Sequence, residues 1–264
     1  MQHGEFIQNR WIVSAITQIC KDLDISVHSY SHDWLMELSK GTQTQRVLGY
    51  KFPLNNGVAA QIAEDKVAAH TILDSQGIPS VPHLLVRTKA ESYDTWRNND
   101  WQDIVVKPLN GTSGIGVRRF SDQSLASQWI QAQTEDGWAV SPFVSIVREI
   151  RLIVLDGEVL LSYEKSPITI DGLPMFNLGL GATPTLTTVP PQLQKLAASA
   201  LEALQLRLGS VDIVQLEDGS YKILEVNDGI MMEHFVHTSA DYMSAGLSVY
   251  RAIIEKMFAA ISDS

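Results

Sequence analysis

One stretch, residues 208–233 (LGSVDIVQLEDGSYKILEVNDGIMME), constrains the fold of this chain more than any other. Two apolar runs rich in β-branched residues, 211–216 and 221–226, lie on either side of a short polar segment. Asp-Gly is a preferred pair for a two-residue type I′ turn, and Asp218-Gly219 occupies the centre of that segment. The sequence therefore predicts a β-hairpin that turns at these two residues.

Counting outward from that turn pairs Leu216 with Tyr221 and, further along, Asp212 with Glu225. Opposed residues have Cβ atoms roughly 4.5–5.5 Å apart, and like charges there are destabilising. Asn227 follows Glu225 by two residues and so points to the same face. Mg²⁺ would remove the repulsion, because it binds carboxylate oxygens together with substrate phosphates. The alternative is an exposed polar face on an ordinary hairpin.

Composition excludes several classes of protein. The chain has 264 residues, 45% of them hydrophobic, which is enough for a large core. A net charge of −10 argues against binding to nucleic acid or to an acidic membrane surface. Cys20 is the only cysteine, so no disulfide framework and no cysteine-based zinc site is expected. No apolar run is long enough for a transmembrane helix and no signal peptide is evident, so we expect a cytoplasmic protein.

A second motif is a lysine followed by a glycine-rich loop. Lys107 lies near the end of an apolar strand at 104–108, and the loop at 109–116 leads into another strand at 117–120. Glycines let the backbone approach a ligand, and successive N–H groups form an anion-binding concavity beside the lysine charge. It is neither a Walker loop nor a dinucleotide fingerprint, because it leads into a strand.

A third motif lies on the strand predicted at 148–155. Glu149, Arg151 and Ile153 share one face, so a charged end continues into an apolar end. This pattern is typical of a strand that runs from a cleft into a core. An exposed edge strand with mixed charges is the alternative interpretation.

The remaining elements follow from periodicity and from turn residues. Helices are predicted at 10–23, 89–98 and 121–133, from Pro191 and from Ser239, and one continuous helix containing Lys66 is predicted from Asn55 to Gln76. Short strands are predicted at 25–30, 46–52, 83–87 and 138–144. Residues 166–188 form a long glycine-spaced loop, which is the kind of segment that is usually functional or disordered.

In this order the motifs resemble the ATP-grasp ligases, most closely the branch containing the ribosomal-protein glutamate ligase and related carboxylate–amine ligases. The matching positions are Lys66, 105–108, the loop at 111–116, 149–151, 211–213 and 225–227. They cover about residues 65 to 227. The resemblance implies an α/β (α+β) chain with the ATP-grasp fold, in which two α+β subdomains enclose the nucleotide. The expected division is a short N-terminal α/β domain at 1–82, a small subdomain at 83–145 and a large subdomain at 146–264.

The resemblance also implies roles for particular residues. Nucleotide contacts are expected from the phosphate-binding Lys66 and Lys107, the loop residues Thr112, Ser113 and Gly114, the adenine hinge with Ser141, Phe143 and Val144, and Glu149 near the ribose. Arg151 and Lys165 would neutralise the transferred phosphate. Asp212, Glu225 and Asn227 would bind Mg²⁺, with Mn²⁺ as a second candidate ion.

The implied reaction is ATP-dependent formation of an amide through an acyl-phosphate. Its partners would be small-molecule or peptide carboxylate and amine substrates, with a homodimer as a candidate assembly. A kinase-like phosphotransferase and a nucleotide-binding regulatory module without turnover are the alternatives. His234, after the metal residues, is a candidate to orient the amine or take its proton, as is its neighbour Glu233; packing beside Met231 and Met232 is the alternative.

The chain departs from this pattern around the expected acid and amine sites. Relatives carry Asn-x-x-Arg-Gly-Gly before the long helix, whereas this chain has Asn177 but no arginine in 177–181. Relatives often continue with Ser-Pro-Gly after the metal asparagine, where this chain has Asp228-Gly229-Ile230. Asn177 is therefore retained as a candidate catalytic residue, and the sequence does not name the substrates.

Overall fold

The computed structural model describes residues 9–87, 99, 101–109, 116–134, 137–170 and 172–259. The described helices are α1 (Trp11–Asp22), α2 (Gly57–Glu64), α3 (Lys66–Ser75), α4 (Gln123–Gln131), α5 (Pro191–Ala203), α6 (Glu233–Val236) and α7 (Ala240–Phe258). The strands are β1 (Ser26–Tyr30), β2 (Leu35–Lys40), β3 (Gln43–Leu48), β4 (Leu84–Val86), β5 (Ile104–Pro108), β6 (Arg118–Phe120), β7 (Trp138–Pro142), β8 (Ile146–Leu155), β9 (Glu158–Ser166), β10 (Ile168–Ile170), β11 (Leu173–Met175), β12 (Thr183–Leu186), β13 (Leu208–Leu216) and β14 (Tyr221–Asn227).

A five-stranded antiparallel sheet in the order β12-β9-β8-β13-β14 lies at the centre of the molecule. Successive side chains of a strand point to opposite faces, so each strand supplies two cores. On one face Ile150, Leu152 and Val211 pack against α2, α3 and α5. On the other face Ile153 and Tyr163 pack against α1 and α7.

The N-terminal elements belong to the second of these cores. Helix α1 buries Ile12, Ile16 and Ile19, which share one helical face, and the three-stranded sheet β1-β2-β3 contributes Met36 and Leu38 to the same cluster. The N-terminal segment therefore packs directly on the large sheet. Division of the chain at residues 82 and 145 stays a prediction.

A second antiparallel sheet has the order β4-β7-β5-β6 and its own small core with α4. The two sheets are linked through the segment before β4. The Ile223 N–H of β14 donates to the Pro79 carbonyl, and the Val81 N–H donates to the Ile223 carbonyl. These two bonds make an isolated parallel β-bridge between Ser80 and Ile223. This segment extends the five-stranded sheet and then enters the four-stranded one, so it holds the end of β4 near β14.

The predicted hairpin and its Asp212–Glu225 pair are confirmed, but the turn is different. The Leu216 N–H donates to the Ser220 carbonyl, so residues 217–219 form the loop. Gly219, the last of the three, has φ +81°. This is a three-residue loop that ends in a left-handed glycine. The residue pairs between the turn and Asp212 are therefore shifted by one position from the predicted register. A bulge after Asp212 restores the predicted pairing of Asp212 with Glu225.

The single helix predicted from Asn55 to Gln76 is wrong. Asp65 has an extended backbone (ψ 103°) and ends α2, while its carboxylate accepts N–H bonds from Val67 at 2.9 Å and Ala68 at 3.0 Å. Aspartate is a strong N-cap residue, and here that preference interrupts the apolar periodicity. Lys66 is consequently the first residue of α3 rather than an interior helical residue.

Two smaller expectations also need correction. Residues 166–188 are not one unstructured loop, because they carry β10, β11, a 3-10 helix at Leu178–Leu180, and β12. Strand β2 was not predicted, and the strand predicted at 46–52 lies instead at β3. The helix predicted at 89–98 lies outside the described residues. Within the described part of the chain, no helix is both long and apolar enough to cross a membrane.

Candidate active site

One face of the large sheet carries a group of charged side chains at its end toward the four-stranded sheet. Glu149 and Arg151 come from β8, Lys165 from β9 and Asp212 from β13. The register sets Arg151 opposite Asp212 and Glu149 opposite Lys165. On β8 this face continues into buried Ile153, as the sequence pattern predicts for a strand that runs from a cleft into a core.

Asp212 lies at the centre of this group. Its carboxylate accepts two hydrogen bonds from Arg151, with Nε–Oδ1 and Nη2–Oδ2 distances of 2.7 and 2.6 Å. Lys165 Nζ lies 3.0 Å from Asp212 Oδ1 and 2.6 Å from Glu149 Oε1. The Asp212 side chain is only 3% exposed, so these are buried, mutually neutralising charges.

The electrostatics of the four groups follow from burial and pairing. Burial opposes ionisation of Asp212, but Arg151 and Lys165 outweigh it and hold its pKa well below the ordinary range. Burial raises the pKa of Glu149, and Lys165 offsets only part of that rise. Burial lowers the pKa of Lys165, yet its two carboxylate partners leave it above the usual value. Lys165 is therefore held as a cation between its two carboxylate partners.

Lys66 and Glu225 form a second ion pair beside this group. Lys66 Nζ lies 3.2 Å from Glu225 Oε1, and the two side chains are 11% and 31% exposed. Because Asp65 caps α3, Lys66 is held at the start of that helix. Asn227, two residues beyond Glu225, lies opposite Ser210 in the hairpin.

The oxygen donors proposed for Mg²⁺ fit that ion in type and placement. Asp212 and Glu225 are directly opposed, and Asn227 follows on the same face, so two carboxylates and one amide oxygen lie together, with the carboxylates paired to cations in the ligand-free protein. In the described part of the chain, no three His, Cys, Asp or Glu side chains form a metal-binding group by themselves. Completion of such a site would therefore depend on Asn227 and on oxygens of the substrate.

Lys107 reaches toward the same charges from the other sheet. It lies near the end of β5, and the charges that act on it include Glu225, Lys66 and Glu149. Burial lowers the pKa of Lys107 and Lys66 adds to that effect, while Glu225 and Glu149 offset only part of it. The structure thus brings both predicted phosphate lysines to one place.

Lys107 has a partner that the motifs did not reveal. His83 Nε2 lies 3.3 Å from Lys107 Nζ, and the His83 side chain is buried. A histidine before a short strand gives no motif, and a contact across 24 residues cannot be read from local sequence. The only signal that the sequence offers is that His83 begins the strand predicted at 83–87.

The predicted adenine hinge begins within β7 at Ser141 and continues past the end of that strand. Ser141 is buried and pairs with Val105 of β5, while the Phe143 N–H donates to the Asp103 carbonyl at 2.9 Å. The Arg119 guanidinium lies 3.6 Å from the centroid of the Phe143 ring. The Phe143 N–H is thus committed within the protein, and contacts to a base would have to come from its carbonyl or from Val144.

Two predicted catalytic residues meet at the 3-10 helix. An ideal Cβ placed on Gly179 would lie 3.0 Å from Asn177 Oδ1 and 3.1 Å from His234 Nε2. A side chain at this position would be crowded by both polar atoms, so glycine favours their close approach. Asn177 and His234 are therefore brought together.

Glu233, the neighbour of His234, has a different position. Its carboxylate accepts the N–H groups of Trp11 at 2.7 Å and Ile12 at 3.2 Å, and the residue is 2% exposed. Glu233 therefore caps the first turn of α1, although the two are far apart in sequence. The expectation that Glu233 orients the amine or takes its proton is wrong. Thr112, Ser113 and Gly114 lie outside the described residues.

The fold and this group of side chains together define a class. Two antiparallel sheets, with Lys107 on the smaller and Lys165 and acidic residues on the larger, correspond to the ATP-grasp arrangement. A family model described as the RimK-like ATP-grasp domain matches residues 63–247. The chain belongs to the RimK-like ATP-grasp family and has the ATP-grasp fold.

Individual relatives are consistent with that assignment. The chain is 26% identical over 166 residues to a probable alpha-L-glutamate ligase of Hydrogenovibrio crunogenus, covering 61% of this chain and 54% of the relative. It is 27% identical to the ribosomal protein bS6–L-glutamate ligase of Salmonella paratyphi B, covering 61% and 55%. The chain thus spans about half the length of these curated relatives.

A solved structure shows the same fold at lower identity. The D-alanine–D-alanine ligase of Bacillus anthracis, complexed with ATP, superposes with a TM-score of 0.60 at 19% identity. The superposition covers 77% of this chain and 68% of that one. This likeness supports the fold alone.

Proposed function

We propose that the protein is an ATP- and Mg²⁺-dependent carboxylate–amine ligase that works through an acyl-phosphate. The observation that carries the proposal is the convergence of Lys66, Lys107, Arg151 and Lys165 on the carboxylates of the hairpin. Family membership supports it, as do the relatives described as glutamate ligases.

The cations of the site are placed to exchange their carboxylate partners for phosphate oxygens. In the described structure Arg151 and Lys165 neutralise Asp212, and Lys66 neutralises Glu225. Phosphate oxygens can replace the carboxylates as partners of the cations, because guanidinium and ammonium groups bind both kinds of oxyanion. Asp212, Glu225 and Asn227 would then hold Mg²⁺, which when bound supplies positive charge beside the phosphates.

In the proposed first step, an oxygen of the substrate carboxylate attacks the γ-phosphorus of ATP. The bond from that phosphorus to the bridging oxygen breaks, and ADP leaves with the electron pair. Arg151 and Lys165 stabilise the negative charge on the transferred group, and the remaining contribution of the protein is positioning. The product of this step is a carboxylic–phosphoric anhydride.

In the proposed second step, the amine nitrogen attacks the acyl carbon. The carbon–oxygen bond to phosphate breaks, inorganic phosphate leaves, and the nitrogen loses a proton. Neutral imidazole is suited to accept that proton near pH 7, so His234 is assigned this role, with Asn177 beside it to orient the amine. Exclusion of water matters here, because water would also attack the anhydride.

The test is trapping with hydroxylamine. Purified protein is incubated with ATP, Mg²⁺ and panels of carboxylates that include glutamate and peptides, without an amine, and product masses and ADP are measured. A hydroxamate is expected for the correct acid. A stable phosphorylated product would instead support the kinase-like alternative, and absence of any ADP release with bound nucleotide would support a regulatory module.

Arg151 provides the matched variants for this test. Arg151→Ala should lower the rate of hydroxamate formation by about 10²–10³-fold, since it removes a donor aimed at developing charge. Arg151→Lys keeps the charge but loses the bidentate geometry, and an intermediate rate is expected. An Arg151→Ala protein that forms hydroxamate at the rate of the unaltered protein would contradict the assigned role.

A further inference from the structure

We infer that His83 is a positioning residue that holds the ammonium group of Lys107 for the nucleotide phosphates. The inference rests on the proposed function and adds a residue to it. Lys107 Nζ lies 3.3 Å from His83 Nε2, and this contact joins the end of β5 to the segment that precedes β4.

The hydrogen bonds of His83 fix which ring nitrogen carries its proton. His83 Nδ1 lies 2.9 Å from the Val81 carbonyl oxygen. A carbonyl oxygen can only accept, so Nδ1 must be the donor and carry the hydrogen. The lone pair of Nε2 then faces Lys107, which can only donate. Both contacts are satisfied by one tautomer of the neutral ring.

The surroundings keep His83 in this form. The residue is 2% exposed, and burial, followed by the charge of Lys107, holds its pKa well below the usual value. His70 lies nearby with a ring-centroid separation of 6.4 Å, and its own Nδ1 is engaged by Ser80 Oγ at 2.7 Å. The neighbouring groups whose charge acts on His83 are Lys107, His70 and Lys66, and each lowers its pKa.

The backbone just before His83 is held on β14 of the large sheet. The Val81 N–H donates to the Ile223 carbonyl of β14, and Val81 in turn accepts from His83. A cavity of about 20 Å³ beside this segment is lined by His70, Ser80, His83, Lys66 and Glu225, among others. The other seven lining residues are apolar, and the His83 residue is 2% exposed, so its imidazole lies in a confined space rather than in open solvent.

This arrangement has a consequence for phosphate binding. An ammonium group has three hydrogens, so Lys107 can give one to His83 and direct the others toward phosphate oxygens. Without the acceptor, a flexible lysine beside the like charge of Lys66 loses its preferred direction. Hydrogen bonding to the charged form also favours retention of that charge. His83 thus acts on the nucleotide only through Lys107.

The experiment compares affinities for ATP and for adenosine in four proteins: the unaltered chain, His83→Leu, His83→Gln and His70→Leu. Glutamine offers an amide oxygen in place of Nε2, whereas leucine offers no acceptor. We expect His83→Leu to weaken ATP about tenfold, in keeping with loss of a hydrogen bond to a charged group, and to leave adenosine unchanged. His83→Gln should recover most of the ATP affinity. His70→Leu, the same change in the same cavity without contact to Lys107, should behave as the unaltered chain.

Nitrogen-15 spectra of the histidine rings provide a readout that needs no nucleotide. One ring should be a neutral Nδ1–H tautomer that does not titrate between about pH 5 and 8, and its signals should disappear in both His83 variants. A charged ring or an Nε2–H tautomer overturns the inference. So does ATP affinity that is unchanged in His83→Leu, or an equal loss for ATP and adenosine. If the unaltered chain binds no ATP while the ring signals are as expected, the proposed function fails. The contact between His83 and Lys107 in the ligand-free protein is then still supported.

Discussion

Asp212 has two cationic partners in the ligand-free protein and is also the proposed ligand of Mg²⁺. Asp212→Asn should therefore abolish Mg²⁺-dependent turnover and also destabilise the fold. Loss of one member of a buried ion pair leaves uncompensated charge and typically costs about 3–5 kcal/mol of unfolding free energy. Urea unfolding at pH 7 in a chelator measures this cost without interference from metal.

The pH dependence of that cost has a definite sign. Arg151 and Lys165 depress the pKa of Asp212 in the folded state, so its contribution is fully present above the unfolded pKa of about 3.9. The contribution is lost as the pH falls below that value, and the difference between Asp212→Asn and the unaltered chain should shrink. Asp156→Asn is the matched control, because Asp156 pairs with Arg207 and Lys256 at the surface and should contribute about 0–1 kcal/mol. Equal costs for the two variants would contradict the buried network.

At the scale of elements, the short helix α6 carries adjacent residues with different tasks. Glu233 caps α1, while His234 lies beside Asn177 at the 3-10 helix. Glu233→Gln removes a negative charge from a helix N-terminus and should cost about 0.5–2 kcal/mol of stability, with the Michaelis constant for the amine unchanged. His234→Ala should leave the thermal midpoint nearly unchanged and slow amide formation. Calorimetry together with separate assays of hydroxamate and amide distinguishes the two, and a reversed pattern would exchange the assignments.

The sequence predicted elements well where one local preference acted alone, and less well where two preferences competed. The hairpin is an example: its Asp-Gly pair indicated a two-residue turn, but Gly219 closes a three-residue loop and a bulge after Asp212 compensates. The Asp212–Glu225 pair was thus predicted correctly through two errors that cancel. At Asp65, capping outweighed apolar periodicity, and no count of apolar positions reveals that.

At the scale of the molecule, the sequence predicted which charged residues share the site but not how they pair. These ion pairs depend on the register of three strands, which only the assembled sheet defines. They join Arg151 to Asp212 and Lys165 to both Asp212 and Glu149. The contact of His83 with Lys107 depends likewise on how the segment before β4 meets β14. Long-range pairing of this kind leaves no periodic signal in the chain.

The family match covers residues 63–247, yet the core extends beyond it. Of the 24 buried residues described in the cluster beneath α1 and α7, ten come from residues 12–52. Phe52 and Tyr250 have ring centroids 5.8 Å apart, and Tyr163 stacks on Phe235 at 4.7 Å in the same cluster. The N-terminal segment should therefore unfold together with the large sheet rather than as a separate unit.

Phe52→Ala and Phe235→Ala test this cooperativity from outside and inside the matched region. Each removes a buried ring from one shared cluster and should lower the free energy of unfolding by about 3–5 kcal/mol. Both variants should show a single transition in which the midpoints from circular dichroism and from tryptophan fluorescence coincide, as a two-state unit requires. Two transitions, with Phe52→Ala moving only one of them and leaving nucleotide affinity unchanged, would show that the N-terminal segment is an independent unit. If both variants shift the midpoint of one shared unfolding transition, the segment before residue 63 is part of the structure that supports the site.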